Sequence, residues 1–223
     1  MAAAILASAM PTFLIALLDD PGGHRGADYL LYMGATQRWL DGGGFYLPHQ
    51  VIGPYQITFG DVLYPPVALW LFTPFTVLPA VLWWLMPLAA MSWAIAKHRP
   101  RPVVWPLVAV ILAWQPVEIH LVSGNPDMWA SAAVALGTVY QWPAVFAFIK
   151  PSITGLFGLW GMRHRSWWVG LGVFALLCAP FGTLWADWVR VILNGVGAGV
   201  LYGLQESPIM LLPIVAWAGR TDA

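Results

Sequence analysis

Charged residues make up only 9% of this 223-residue chain, so few side chains could do chemistry. Between Asp19 and Pro66 lie Asp19, Asp20, Asp28, Asp41 and Asp61, five of its ten acidic residues, with His24, His49 and the run Gly42-Gly43-Gly44. The stretch Gly26 to Ala35 reads as a short helix, and the four-residue spacing of Asp28 and Tyr32 puts both on one helical face. A carboxylate so held is a candidate general base, which must come within about 2.6–3.2 Å of the proton it takes. A first-turn helix charge or solvated loop acid is the plainer alternative for Asp28. Asp20, and beside it Asp19, is the second candidate, with a helix-end loop role as its alternative.

The remaining candidates lie farther on. Lys150 falls inside an apolar run directly before Pro151. A cation there either snorkels to an interface or sits at the floor of a cavity and meets a phosphate as a point charge. Glu118 and His120 are two apart and do not share a helical face, so a metal pair is not indicated. Asn125 and Asp127 follow Gly124 at a helix start, where Asn125 reads first as a cap. No phosphate-binding glycine loop, zinc-protease helix or nucleophile elbow occurs. Trp83-Trp84 and Trp167-Trp168 read as membrane-interface anchors. The single cysteine, Cys178, is expected to pack within a helix.

Such residues need a scaffold, and composition specifies its class. The chain is 60% hydrophobic with mean hydropathy +0.71, whereas soluble domains carry about 25% charged residues. An all-α polytopic membrane protein is expected, as one membrane domain over 1–223, and zero net charge argues against nucleic acid as a partner. The N-terminus lacks a basic region, so a retained first span over 3–18, kinked at Pro11, is expected rather than a cleaved signal.

The basic clusters Lys97-His98-Arg99-Pro100-Arg101 and Arg163-His164-Arg165 are placed in the cytoplasm by the positive-inside rule. With the acidic loop 19–62 outside, an interfacial helix lies over 27–40. An interfacial or re-entrant segment then covers 64–77, and spans follow over 79–97, 103–121 and 127–141. Two half-helices over 142–162 meet at Lys150, and a span runs over 167–185. An amphipathic or re-entrant segment over 187–204 and a short apolar helix over 207–219 complete about six to eight transmembrane or re-entrant helices.

Taken in order, Asp28 and Tyr32, Gly42 to Tyr46, Tyr64-Pro65-Pro66 and Leu78-Pro79 resemble the GT-C-type glycosyltransferases. The nearest branch is glycosyltransferase family 87, the polyprenyl-phosphate-mannose-dependent α-mannosyltransferases. Gly124-Asn125 stands where that family has a Gly-Gln-like element, and Lys150-Pro151 with Arg163-His164-Arg165 matches its Lys-Pro and basic cluster. The resemblance implies a GT-C-like fold and inverting transfer of a sugar from a polyprenyl-phosphate donor to a lipid or glycan acceptor. It places this on the outer face of the plasma membrane, without a cofactor. Asp28 would be the base, Asp20 and Tyr32 its neighbours, and Lys150, Tyr64, Asn125, His120 and Glu118 the substrate-binding set. The match spans about the first half of a typical member. That leaves open a short form, a half completed by a partner subunit, or an inactive chain. From the residues alone, a transporter or flippase with Lys150 and Glu118 as pathway charges, and a non-catalytic membrane scaffold, are the alternatives.

Overall fold

The computed structural model describes residues 23, 25–150, 152–196, 204 and 207–221, and these are largely helical. The expected span over 3–18, with Asp19 and Asp20, lies outside the described residues, as does His24. Helix α1 (Ala27–Leu40) is followed by α2 (Pro48–Ile52) and the two-residue strand β1 (Tyr55–Gln56). A bent segment of 3-10 turns around α3 (Leu69–Phe72) leads to α4 (Val81–His98), then α5 (Trp105–Leu112), α6 (Gln115–Ser123) and α7 (Asp127–Tyr140). Two 3-10 segments, Trp142–Ile149 and Ile153–Leu159, come next, then α8 (Arg165–Cys178), α9 (Leu184–Asn194), strand β2 (Gly195–Val196) and α10 (Pro208–Ala218).

Prolines explain most of the breaks. Pro66, Pro74, Pro102, Pro116, Pro143 and Pro208 each occupy a first turn, where the missing N–H costs nothing but a helix arriving from upstream cannot continue without losing a hydrogen bond. The segment expected as one span over 103–121 is therefore two helices, 102–112 and 115–123, bent by 70° before Pro116. The turn between α8 and α9 bends by 95°, so the span expected to reach 185 ends at Phe181. Among the described residues no single helix is long and apolar enough to cross a membrane. Three bent pairs meet the length and composition of a span together: 66–76 with 81–98, 102–112 with 115–123, and 165–181 with 184–194.

Helix α7 is the hub. It packs against the 142–149 segment, α4 and α10. Its residues Ala130, Ala132, Ala133, Ala135 and Gly137 allow that close approach. At Gly137 a Cβ would lie 2.6 Å from the Ala144 Cβ, so the α7–142–149 contact requires glycine there. Around it the core is aromatic: Tyr32 stacks on Phe72, and Trp83 contacts Phe72, Phe75 and Trp129. Two details correct the sequence reading. Trp83 and Trp167 are buried core residues rather than interface anchors, whereas Trp168 is exposed. And α1 buries Tyr32, Met33, Ala35 and Thr36 against this core, so its Tyr32 face is the inward one.

The region 42–62, expected to be irregular, is tied at several points. Arg38 donates to the carbonyls of Gly44 and Phe45, closing the glycine run back onto α1. Buried Tyr46 donates to the Tyr64 carbonyl, and burial, with the Asp187 carboxylate adding to it, pushes that phenol above its ordinary pKa. Asn194 donates to the carbonyls of Gln50 and Val51, and β1 pairs in parallel with β2. The 184–196 segment is thereby fastened to the loop.

Candidate functional site

The site forms where the start of α1 meets the turn between α6 and α7. Gly26 enters α1 with a left-handed backbone, and its N–H donates to the Val122 carbonyl at 3.0 Å. That bond sets Asp28 against the end of α6. Gly124, also left-handed at φ 76°, ends α6. A Cβ on Gly124 would lie 2.7 Å from Trp84 and 3.0 Å from Tyr29, so only glycine fits in space and in conformation. Two indoles hold the turn from behind: Trp83 Nε1 donates to the Gly124 carbonyl at 2.7 Å and Trp84 Nε1 to that of Leu121 at 2.8 Å.

This turn sends the residues flanking Gly124 to one atom. Ser123 Oγ donates to Asp28 Oδ2 at 2.6 Å, and Asn125 Nδ2 donates to the same oxygen at 2.9 Å. Asn125 Oδ1 meanwhile accepts the Asp127 N–H at 3.1 Å and the Tyr64 hydroxyl at 3.4 Å. Asn125 is therefore a helix cap and also the bridge between Asp28 and the interior.

Behind Asn125 the network becomes fully buried. Lys150 Nζ lies 2.7 Å from Asp127 Oδ1, donates to the Tyr64 hydroxyl at 3.4 Å and sits 5.5 Å from the centre of that ring. His120 Nδ1 approaches the other Asp127 oxygen at 3.4 Å. Asp127 is wholly buried and Lys150 is 4% exposed. Charges so deep are tolerated only when paired, and removing one partner costs far more than the pair contributes. The position of Asp127 in the first turn of α7 also favours its negative charge.

Asp28, Tyr64, Asn125, Lys150 and His120 thus belong to one connected cluster. Tyr32 joins it through packing, edge-on to Tyr64 with ring centres 5.0 Å apart. Glu118 does not join it: its side chain is buried, and Oε1 meets no hydrogen-bond partner among the described residues. Lys150 is committed to Asp127 rather than standing at the floor of an open cavity. Ser123 was not singled out from the sequence, and Asp127 was read only as a helix-start residue. The polar run Ser123-Gly-Asn-Pro-Asp127 in an apolar chain was the available signal for both.

Chemically, the half-buried Asp28 presents a carboxyl group with one oxygen anchored by two neutral donors. No group of three His, Cys, Asp or Glu that could hold a metal occurs among the described residues. A separate cleft of about 420 Å³ is lined by Leu71, Met86, Trp129, Pro143, Phe146 and Ile149 among others, and by none of the residues of the polar cluster. Comparison with family models, curated proteins and solved structures finds no significant match to this chain.

Proposed function

We propose that the chain is a multi-pass membrane glycosyltransferase. It moves a mannose-like sugar from a polyprenyl-phosphate donor to a lipid or glycan acceptor on the outer face of the plasma membrane. One observation carries this reading: side chains scattered from 28 to 150 meet in a single hydrogen-bonded cluster with a half-buried carboxylate at its edge. The composition and the three bent helix pairs support the membrane setting. The apolar cleft lined by Leu71, Trp129, Phe146 and Ile149 suits an isoprenoid tail.

In the reaction, an acceptor hydroxyl oxygen attacks the anomeric carbon of the donor sugar. Its proton passes to the Asp28 carboxylate. The bond from the anomeric carbon to the phosphate oxygen breaks, and the lipid phosphate leaves with that electron pair. Phosphate is already a good leaving group, so a positioned base, worth roughly 10²–10⁴-fold, is most of what the side chains must supply. Ser123 and Asn125 hold the base, while Lys150 and Asp127 fix Asn125 and Tyr64 from behind. Lys150 would reach a donor phosphate only by exchanging Asp127 for it.

The purified chain in lipid, given polyprenyl-phosphate mannose and a membrane-lipid acceptor extract, should form a mannosylated product, and Asp28→Asn should abolish most of that turnover. A folded wild type without turnover overturns the reading, and an Asp28→Asn variant with full activity removes Asp28 as its base. A transporter or flippase draws support from the buried Lys150–Asp127 pair, since intramembrane charges line transport paths. Movement of the polyprenyl-phosphate sugar across a sealed vesicle without product formation would favour it.

A further inference from the structure

The opposite end of α7 carries a second site. Thr138 is about 16 Å along the helix from Asp127, at about 1.5 Å per residue. Beside it opens a cavity of about 680 Å³, larger than the cleft at the candidate active site. Trp160 and Trp217 form a wall, with ring centres 4.8 Å apart and planes at 87°. Arg163 and His164 line the cavity and are exposed. The Arg220 guanidinium lies 4.4 Å over the Trp217 ring. No acidic residue among the described residues lines the cavity.

Two further features distinguish the place. Gln141, also in the lining, has φ 62° and ψ −47°, a sparsely populated conformation for a non-glycine residue. Gly161 packs so tightly against it that a Cβ there would lie 2.9 Å from the Gln141 Cβ. Backbone in such conformations persists only where its surroundings over-determine it, and it clusters at ligand sites. Second, Leu156 and Phe157 are shared with an adjoining cavity of about 320 Å³ that also touches Ile153. Together the two linings set Arg163, His164 and two indoles beside a mainly apolar stretch of Ile153, Leu156, Phe157 and Leu204, with Ser207 its polar member.

We propose that this space binds one anionic phospholipid. Its phosphate would lie between Arg163 and His164, and part of an acyl chain along Leu156 and Phe157. An inorganic anion has no use for the apolar stretch, and a neutral lipid none for the Arg163 guanidinium. Guanidinium groups match phosphate oxygens geometrically, and basic pockets beside membrane helices recognise anionic headgroups. The tendency of basic residues to stay on the cytoplasmic side accounts for their sign, but not for an aromatic-walled cavity among them. The inference rests on the membrane reading and is independent of glycosyl transfer.

The test uses the whole chain in a neutral detergent, read by thermal unfolding and by native mass spectrometry. Phosphatidylglycerol should raise the unfolding midpoint and stay bound as one retained molecule, while phosphatidylcholine with the same chains should do neither. Arg163→Gln with His164→Gln should weaken phosphatidylglycerol binding roughly tenfold, because the guanidinium charge and the imidazole contact to the headgroup are both lost. Arg190→Gln, at an exposed arginine paired with Asp187, should leave it unchanged. Equal binding of the two lipids overturns the proposal, as does equal loss in the Arg190 variant. Protection by inorganic phosphate as strong as that by the lipid reduces the site to an ion site and also overturns it. Turnover enters none of these readouts, so failure here is distinct from failure of the glycosyltransferase reading.

Discussion

At the Asp127 end of α7, polar side chains satisfy one another: half-buried Asp28 and buried Ser123, Asn125, Tyr64, Lys150 and Asp127 form one connected network. At the Tyr140 end, Arg163, His164 and Gln141 border an open cavity, and among the described residues lining it only Thr138 is deeply buried, with His98 Nε2 2.7 Å from its hydroxyl. The difference is one of dielectric and of coupling. In the filled end each group depends on the next, so a deletion strands a buried partner and its cost spreads. In the open end water can replace a lost partner, and a deletion stays local. The filled end therefore suits a geometry that must not move, and the open end suits a ligand that comes and goes.

The largest effect should come from Asp28→Asn. The amide still accepts bonds from Ser123 and Asn125, so the fold should survive, while turnover of polyprenyl-phosphate mannose falls by about 10²–10⁴-fold. Unchanged turnover would remove Asp28 as the base and move that role to Asp19 or Asp20.

Next is Lys150→Met, which leaves Asp127 buried without its closest cation. A loss of about 3–5 kcal/mol is expected for breaking one side of a buried pair. Adding Asp127→Asn should restore most of it, since the stranded charge is then gone. Denaturant titration of the two single variants and the double variant checks this; additive losses would show that the two groups are not coupled.

Ser123→Ala is a milder break of the same network. A hydrogen bond to a carboxylate contributes about 1.5–3 kcal/mol. Asn125 still holds Asp28 Oδ2, so the loss should fall at the lower end of that range. If Ser123 only positions the base, kcat should fall with KM for the donor unchanged. A rise in KM alone would place Ser123 in substrate binding instead.

How much of this was legible in the sequence depended on the length over which a signal acts. Helices α4 and α7 lie within two residues of the spans expected over 79–97 and 127–141, because each is a long apolar run with a marked end. The break before Pro116 was missed because hydrophobicity continues across Trp114. The β1–β2 pairing, Tyr55 with Gly195 and Gln56 with Val196, was invisible because two residues carry no alternation to read. Trp83 misled for another reason: hydropathy does not distinguish lipid from protein interior. At the site, Asp28 and Lys150 were conspicuous as charges in an apolar chain. The link from Lys150 to Asp127 depends on how the 142–149 segment packs on α7, which no local pattern specifies.

The smallest effect should come from the open end, and it decides whether the two ends differ in kind. Thr138 is 6% exposed, and its hydroxyl donates to the Ala135 carbonyl at 2.6 Å and pairs with His98. By burial alone its replacement resembles that of Ser123. But the Ala135 carbonyl keeps its place in the helix, no charge is stranded, and His98 is only partly buried, so water can serve its ring. Thr138→Val should therefore cost about 1 kcal/mol, near the net value of an ordinary hydrogen bond. His98→Gln, which can still bond the hydroxyl, should cost less. Combining Thr138→Val with Ser123→Ala should give the sum of the two losses, because the groups are separated by most of the length of α7. A loss at Thr138 as large as that at Lys150, or strong coupling between the two ends, would mean that the basic end is part of the same rigid network.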